Sequence, residues 1–179
     1  VARLHGRVRD ADYCVLLTDA QGQTIDYRVE STIRNDCQKA GLYLGTCWSE
    51  GEEGTCGVAA VLTARTPVTV HKRDHFRAAF IGLTCSAAPV FDPRGELLGV
   101  LDVSAVRSPD ERRSQHLIRQ MVVESARQIE QGGGIGPGKR AGLQERRRIH
   151  GNGARYSGAH PVSPALRRLP RFTPRPDYS

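Results

Sequence analysis

Apolar and polar positions alternate early in the chain. Tyr13, Val15 and Leu17 recur at every second position, which predicts a strand, and Asp19-Ala-Gln-Gly22 predicts the turn that closes it. Thr24 to Val29 then reads as the returning strand of a hairpin. Ser31 is placed to cap a short helix that ends at Gly41. Gly41 to Gly54 is a loop rich in glycine, cysteine and acids. From Thr55 to Arg65, small and apolar residues at helical spacing predict a helix with Thr55 as its N-cap. Pro67 to His71 reads as a strand whose first residue tolerates a missing N–H. One or two helical turns are expected over Asp74 to Phe80. A strand over Leu83 to Phe91 follows, interrupted near Ser86-Ala-Ala. Asp92-Pro-Arg-Gly95 marks a second tight turn before an apolar strand, Leu97 to Val103.

Ser108-Pro109-Asp110-Glu111 has the form of a helix start. Serine caps, proline occupies the first helical position and the glutamate reaches back to the cap. Leu117, Ile118, Met121, Val122, Ala126 and Ile129 then recur at three- and four-residue spacing, which predicts an amphipathic helix to Glu130. Leu117, Met121 and Val122 are expected to face the sheet. Ile118, Val123 and Ile129 are left over for a second copy of the chain, or for the N-terminal segment 1–12, which is expected to add a helix on the same face. Two hairpins, short helices and a long C-terminal helix predict an α+β domain over 1–130. Its central antiparallel sheet carries helices on one face and a loop-covered pocket on the other.

Composition changes this picture only past Gln131. Residues 131–179 hold ten of the 26 Lys and Arg but two of the 19 acids, with nine of the 19 glycines and six of the ten prolines. Apolar residues there are sparse and aperiodic, so a mostly disordered basic tail is expected. The net charge of +7 therefore belongs to the tail, and the domain is nearly neutral. A nucleic-acid binder acting through that tail is one alternative reading. No apolar run is long enough for a membrane helix, and charged residues interrupt the first 20 positions, so a cytoplasmic protein without membrane contact is expected. Five cysteines without a CxxC pair indicate neither a disulfide framework nor a zinc ribbon.

Candidate chemistry is sparse. Trp48-Ser-Glu-Gly-Glu-Glu-Gly-Thr55 precedes a helix N-terminus whose free N–H groups suit a polar ligand, or it is an ordinary cap with solvated acids. Trp48 either walls a pocket or plugs the core. Cys85-Ser86-Ala-Ala88 allows close approach of a ligand or of the next layer. Cys56 has a helix N-terminus but no neighbouring cation to activate it. His71 and His75 are four apart, yet they belong to different elements and need not share a metal-binding face. Asp102 lies in an apolar strand, on one face with Val100 and Leu98, and needs a partner if buried. No catalytic triad, phosphate loop or paired-acid signature is present, and no catalytic residue, metal or cofactor is expected.

Six blocks in order carry a family resemblance. They are Trp48-Ser-Glu50, Gly54-Thr-Cys-Gly57, Pro67-Val-Thr-Val70, His75-Phe76, Leu83-Thr-Cys-Ser-Ala-Ala-Pro89, and Asp92-Pro-Arg-Gly95 with Leu98-Gly-Val-Leu-Asp-Val-Ser104. Over residues 13–130 the chain resembles the GAF sensor domain of sigma-54-dependent transcriptional activators of the acetoin-catabolism-regulator type. Cys56 stands where the family usually has Asn, and Ala59 where it has Gly. The resemblance implies a GAF fold and an unidentified small organic ligand. The implied pocket residues are Trp48, Glu50, Thr55, Cys56, His75, Phe76, Cys85, Ser86 and Asp102. It further implies homodimerisation through the C-terminal helix, and signalling to effector domains that alone would contact DNA. Those domains are not in this chain, which reads as a fragment of a regulator or a disrupted gene product. Some GAF folds resemble free-methionine-sulfoxide reductases, so a thiol-dependent enzyme is the other alternative.

Overall fold

The computed structural model describes residues 1–48, 56–75, 81–107, 113 and 115–132. The cap expected at Ser108, the part of the helical turns expected over Asp74 to Phe80 that follows His75, and the basic tail lie outside these residues. Helix α1 (Ala2–Val8) leads into β1 (Tyr13–Thr18) and β2 (Thr24–Arg28), followed by α2 (Arg34–Lys39), α3 (Gly57–Ala64) and β3 (Val68–His71). The order closes with β4 (Thr84–Phe91), β5 (Leu97–Ala105) and α4 (Gln115–Gly132). The five strands form one sheet in the order β2-β1-β5-β4-β3, and every neighbouring pair is antiparallel.

Both hairpins close with the same device. Asp19 Oδ1 accepts the N–H groups of Gln21 and Gln23 at 2.9 and 3.0 Å. Asp92 Oδ1 accepts those of Arg94 and Glu96 at 2.8 and 3.0 Å. Gly22 and Gly95, three residues after each aspartate, have φ of 85° and 80°. The DxxG spelling supplies a carboxylate that satisfies turn donors and a glycine that takes left-handed backbone without strain.

The central strand β5 is buried on both faces, so its side chains alternate between two cores. On one side Leu101 and Val103 join Val15, Ala88 and Val90 beneath α1 and α4, where Leu4, Val8, Val122 and Ala126 complete the layer. On the other side Val100 joins Cys14, Leu16 and Ala87 beneath α2, α3 and Trp48. Gly99 has no side chain because β1 leaves no room for one. A Cβ there would run into the Thr18 carbonyl oxygen, while Thr18 Oγ1 accepts the N–H of Val100 at 3.2 Å.

Several local expectations change. Strand β4 runs unbroken through Ser86-Ala87-Ala88, because small residues pair as well as large ones when both faces are covered. Ser31 does not cap α2, which starts at Arg34 without a side-chain cap, although Gly41 (φ 78°) does follow its end. The cap of α3 is Cys56, whose Sγ accepts the Ala59 N–H at 3.5 Å; Thr55 is outside the described residues. Helix α4 buries Gln115, Val122, Ser125 and Ala126, and packs Ile118, Met121, Val123 and Ile129 against the same cluster. Leu117, expected on the sheet, is 68% exposed. The stripe is rotated because polar anchors set the helix: the Gln115 amide donates to Tyr13 Oη at 2.9 Å, and Glu130 Oε1 accepts the Phe91 N–H at 2.8 Å. Ile118, Val123 and Ile129 are half-buried against this cluster within one chain. Among the described residues no helix is long and apolar enough to cross a membrane.

Gly99→Ala is expected to destabilise the domain by about 3 kcal/mol or more, since the obstructing atom is backbone in a central strand pair. Urea denaturation read by Trp48 fluorescence checks this.

Candidate functional site

The site lies where β5 passes beneath the N-terminus of α3. Strand alternation puts Asp102 and Ser104 on one face of β5, and the register fixes their neighbours. Ser104 pairs with Cys14 of β1 and Cys85 of β4; Asp102 pairs with Leu16 and Ala87. Gly57, the first residue of α3, rests on this row. A Cβ there would lie 2.7 Å from Cys85 Cβ and 3.1 Å from Asp102 Oδ1, so only glycine lets the helix settle on the strands.

Trp48 forms the roof. Its N–H bonds the Gly22 carbonyl at 2.9 Å, and Thr24 N–H bonds the Thr46 carbonyl at 2.8 Å, so the loop before it is laced to the first hairpin. The indole Nε1 donates to Thr24 Oγ1 at 3.0 Å, and the side chain is 3% exposed. Trp48 is thus both core plug and cavity wall, two roles the sequence presented as alternatives.

Among the described residues Trp48, Cys56, Gly57, His75, Cys85, Asp102 and Ser104 line one cavity, with Leu16, Leu42, Val58 and Leu83 as its apolar walls. Space for the centre of a water molecule amounts to about 10 Å³, room for about one water. A larger occupant must displace lining side chains.

A row of hydrogen-bonding groups crosses this cavity. Asp102 Oδ2 and Ser104 Oγ are 2.6 Å apart, Ser104 Oγ and Cys85 Sγ 3.1 Å, and Cys85 Sγ and His75 Nε2 3.4 Å. His75 Nδ1 lies 3.0 Å from the Lys72 carbonyl. A carbonyl only accepts, so Nδ1 carries a proton and Nε2 of the neutral ring is an acceptor. Burial favours that neutral ring by lowering the His75 pKa, against the Lys72 carbonyl and Asp74. Burial, then the charge of Asp102, pushes the Cys85 thiol well up, so its resting form is S–H, donating to His75.

Asp102 is the costly member. Burial pushes its carboxyl up to about 7, against the Ser104 hydroxyl, which favours the ion. Oδ1 is buried with no hydrogen-bond partner among the described residues. Ser104 has one hydroxyl proton. With Asp102 ionised, that proton turns to the carboxylate; with Asp102 protonated, the carboxyl donates to Ser104, which then donates to Cys85.

The structure brings Trp48, Cys56, His75, Cys85 and Asp102 together. Ser86 it does not. Ser86 points to the opposite face of β4, where its hydroxyl lies 3.0 Å from Thr69 Oγ1. Glu50, Thr55 and Phe76 lie outside the described residues. Ser104 and Gly57 were not singled out in the sequence, although Ser104 stands two residues from Asp102 on a strand, which is the signal for a shared face. The partner that Asp102 needs when buried is a side chain, the Ser104 hydroxyl. His71 and His75 have separate partners, His71 Nδ1 lying 2.8 Å from Thr84 Oγ1. Among the described residues no three candidate metal ligands cluster.

Comparison with known proteins agrees with this architecture. The acetoin catabolism regulatory protein of Cupriavidus necator is 50% identical over 127 residues, covering 71% of this chain and 19% of that protein. The acetoin dehydrogenase operon transcriptional activator AcoR of Bacillus subtilis is 27% identical over 97 residues, covering 54% of this chain and 16% of that protein. The chain thus spans about a fifth of the length of these curated relatives. The crystal structure of the E. coli DhaR(N)–DhaL complex superposes with a TM-score of 0.62 at 14% identity, covering 84% of this chain and 50% of that one, a likeness of fold.

Asp102→Asn tests the buried carboxyl. Its folded-state pKa is raised from 3.8 to about 7, so between those values the native state holds a proton that the unfolded chain has lost. Stability therefore falls as pH rises through this window. Asparagine keeps a donor toward Ser104 and cannot ionise. The variant is expected to melt above wild type at about pH 8, with the gap closing toward about pH 4. A variant less stable at the higher pH would mean an ionised, well-paired aspartate.

The family whose pattern matches residues 1–132 is the GAF domain, and this chain belongs to it.

Proposed function

We propose that this domain senses a small, neutral, hydroxyl-bearing organic molecule in the Asp102 cavity and governs a transcription activator of which it is the regulatory part. The observation that carries the reading is Asp102 Oδ1, a buried oxygen on the cavity wall with no partner among the described residues. Such an atom costs stability unless a donor reaches it, and a ligand hydroxyl is that donor. The cavity's apolar walls and small size favour a ligand of few carbons. The apolar side chains of Leu16, Leu42, Val58 and Leu83 around the carboxyl disfavour a charged ligand. The names of the two regulators similar to this chain both concern acetoin, a four-carbon hydroxyketone, so acetoin is the first ligand to test.

Occupancy is read on the far side of the sheet. A ligand that displaces Asp102 or Ser104 moves β5, whose Leu101 and Val103 contact the layer formed with α1 and α4. The ligand shifts the helices only by its differential affinity for their two arrangements. Regulators similar to this chain also support a regulatory rather than an enzymatic role. Homodimerisation belongs to the proposal in a narrowed form, through the outer face of α4 around Leu117, since the rest of the stripe packs within the chain.

Native mass spectrometry with added acetoin reads ligand occupancy and dimer content together, and thermal shift reads affinity. Wild type is expected to gain about 2.7 kcal/mol of apparent stability at a hundredfold excess over Kd, and Asp102→Ala to gain none. No acetoin adduct and no shift at millimolar concentration would remove acetoin, and equal shifts in both proteins would remove Asp102 from the site.

A further inference from the structure

We infer that Cys85 and His75 form a thiol–imidazole pair that captures a ligand carbonyl as a reversible hemithioacetal or hemithioketal. This rests on the reading of the cavity as the ligand site, and deepens it by naming a second functional group of the ligand.

The geometry is that of a nucleophile with its base and an orienting group. Cys85 Sγ is 3.4 Å from His75 Nε2, within sulfur hydrogen-bond reach. The Lys72 carbonyl, 3.0 Å from Nδ1, holds the tautomer in which Nε2 accepts a proton. The Ser104 hydroxyl, 3.1 Å from the sulfur, donates to it when Asp102 is protonated, and with the Gly57 backbone N–H it favours the thiolate as it develops. Cys85, His75, Ser104 and Gly57 all line the cavity. The other cavity thiol, Cys56, is used differently: its Sγ caps α3 by accepting the Ala59 N–H and lies 3.9 Å from the Trp48 carbonyl.

The resting pair is neutral, since burial raises the thiol and lowers the imidazole. Attack and proton transfer are then one balanced step. As Sγ adds to the carbonyl carbon, the S–H proton passes to His75 Nε2, the S–C bond forms and the carbonyl π bond opens onto oxygen. The oxygen takes the proton back from His75. The product is neutral, and the addition consumes no oxidant or reductant. Its new hydroxyl is a donor of the kind Asp102 Oδ1 lacks, so the adduct suits both ends of the row.

Chloroacetone tests this on the full chain. It is a five-heavy-atom ketone that alkylates a thiol irreversibly: the S–C bond forms, C–Cl breaks, chloride leaves, and the thiol proton passes through His75 to solvent. Peptide mapping of wild type reads each cysteine separately. Exposed Cys47 serves as the accessibility reference. Among the four buried thiols, Cys85 is expected to react first, ahead of Cys56, Cys14 and Cys37. Trifluoroacetone, which forms the reversible adduct, is expected to protect Cys85 and leave Cys47 unaffected, with a tetrahedral ¹⁹F resonance that Cys85→Ser abolishes. His75→Gln should slow Cys85 about a hundredfold, the usual worth of a positioned base, without changing Cys47. Reaction at Cys56 before Cys85 in wild type would overturn the inference whether or not any variant folds. So would a ¹⁹F adduct retained in Cys85→Ser. Acetoin binding with an inert Cys85 would leave the sensing function standing and remove the covalent step alone.

Discussion

A carboxyl group held out of water beneath a helix N-terminus is the interaction on which the rest of the domain depends. Asp102 stands on the central strand and Gly57 lies directly over it. Among the described residues its Oδ2 meets the Ser104 hydroxyl at 2.6 Å. Burial of such a group opposes folding, so the surrounding packing must offset it. The neighbours are chosen accordingly. Glycine lets α3 approach, the small residues Cys85 and Ala87 flank the carboxyl on β4, and Trp48 seals the layer from above. A domain selected for stability alone would place an apolar residue there, so a buried carboxyl is a reason to look for a ligand.

Because β5 is covered on both faces, the same strand that carries Asp102 and Ser104 carries Leu101 and Val103 into the opposite core. Only the thickness of one strand separates the cavity from the layer that includes α1 and α4. Helix α4 is fastened at identifiable points: Gln115 on Tyr13, Glu130 on the Phe91 N–H, and Arg119 on the Pro67 carbonyl at 2.8 Å. In the proposed function these contacts are where a shift of β5 becomes a shift of α4. The row from Asp102 to His75 is the matching chemical device, since one proton on Asp102 decides whether Ser104 turns toward the carboxyl or toward the thiol.

Much of the fold was legible in the sequence because it is spelled locally. The two DxxG turns announce both hairpins, and the alternation from Tyr13 to Leu17 and the apolar run from Leu97 to Val103 announce two of the strands whose face the cavity lies on. The face of Asp102 followed from alternation alone. What the sequence hid depends on neighbours distant in the chain. Ser86 looked equivalent to Cys85, but a one-residue step on a strand reverses the face, and only the pairing with β5 says which residue is inward. Leu117 looked like a core position because periodicity fixes a stripe without fixing its rotation, which here is set by Gln115 and Glu130 on the sheet. Cys56 as a cap was hidden because sulfur is a weak acceptor and Thr55 beside it is a better one. The row from Asp102 through Ser104 and Cys85 to His75 joins two strands and a turn, so no spacing rule could assemble it.

The ionisation of Asp102 can be observed directly. Aspartate labelled at Cγ with carbon-13 gives one carboxyl resonance per residue, and Asp102→Asn assigns the one that matters. Asp102 is expected to titrate with a midpoint of about 7. A midpoint for Asp102 near the ordinary 3.8 would mean that the carboxyl is solvated or paired, and would contradict the central claim.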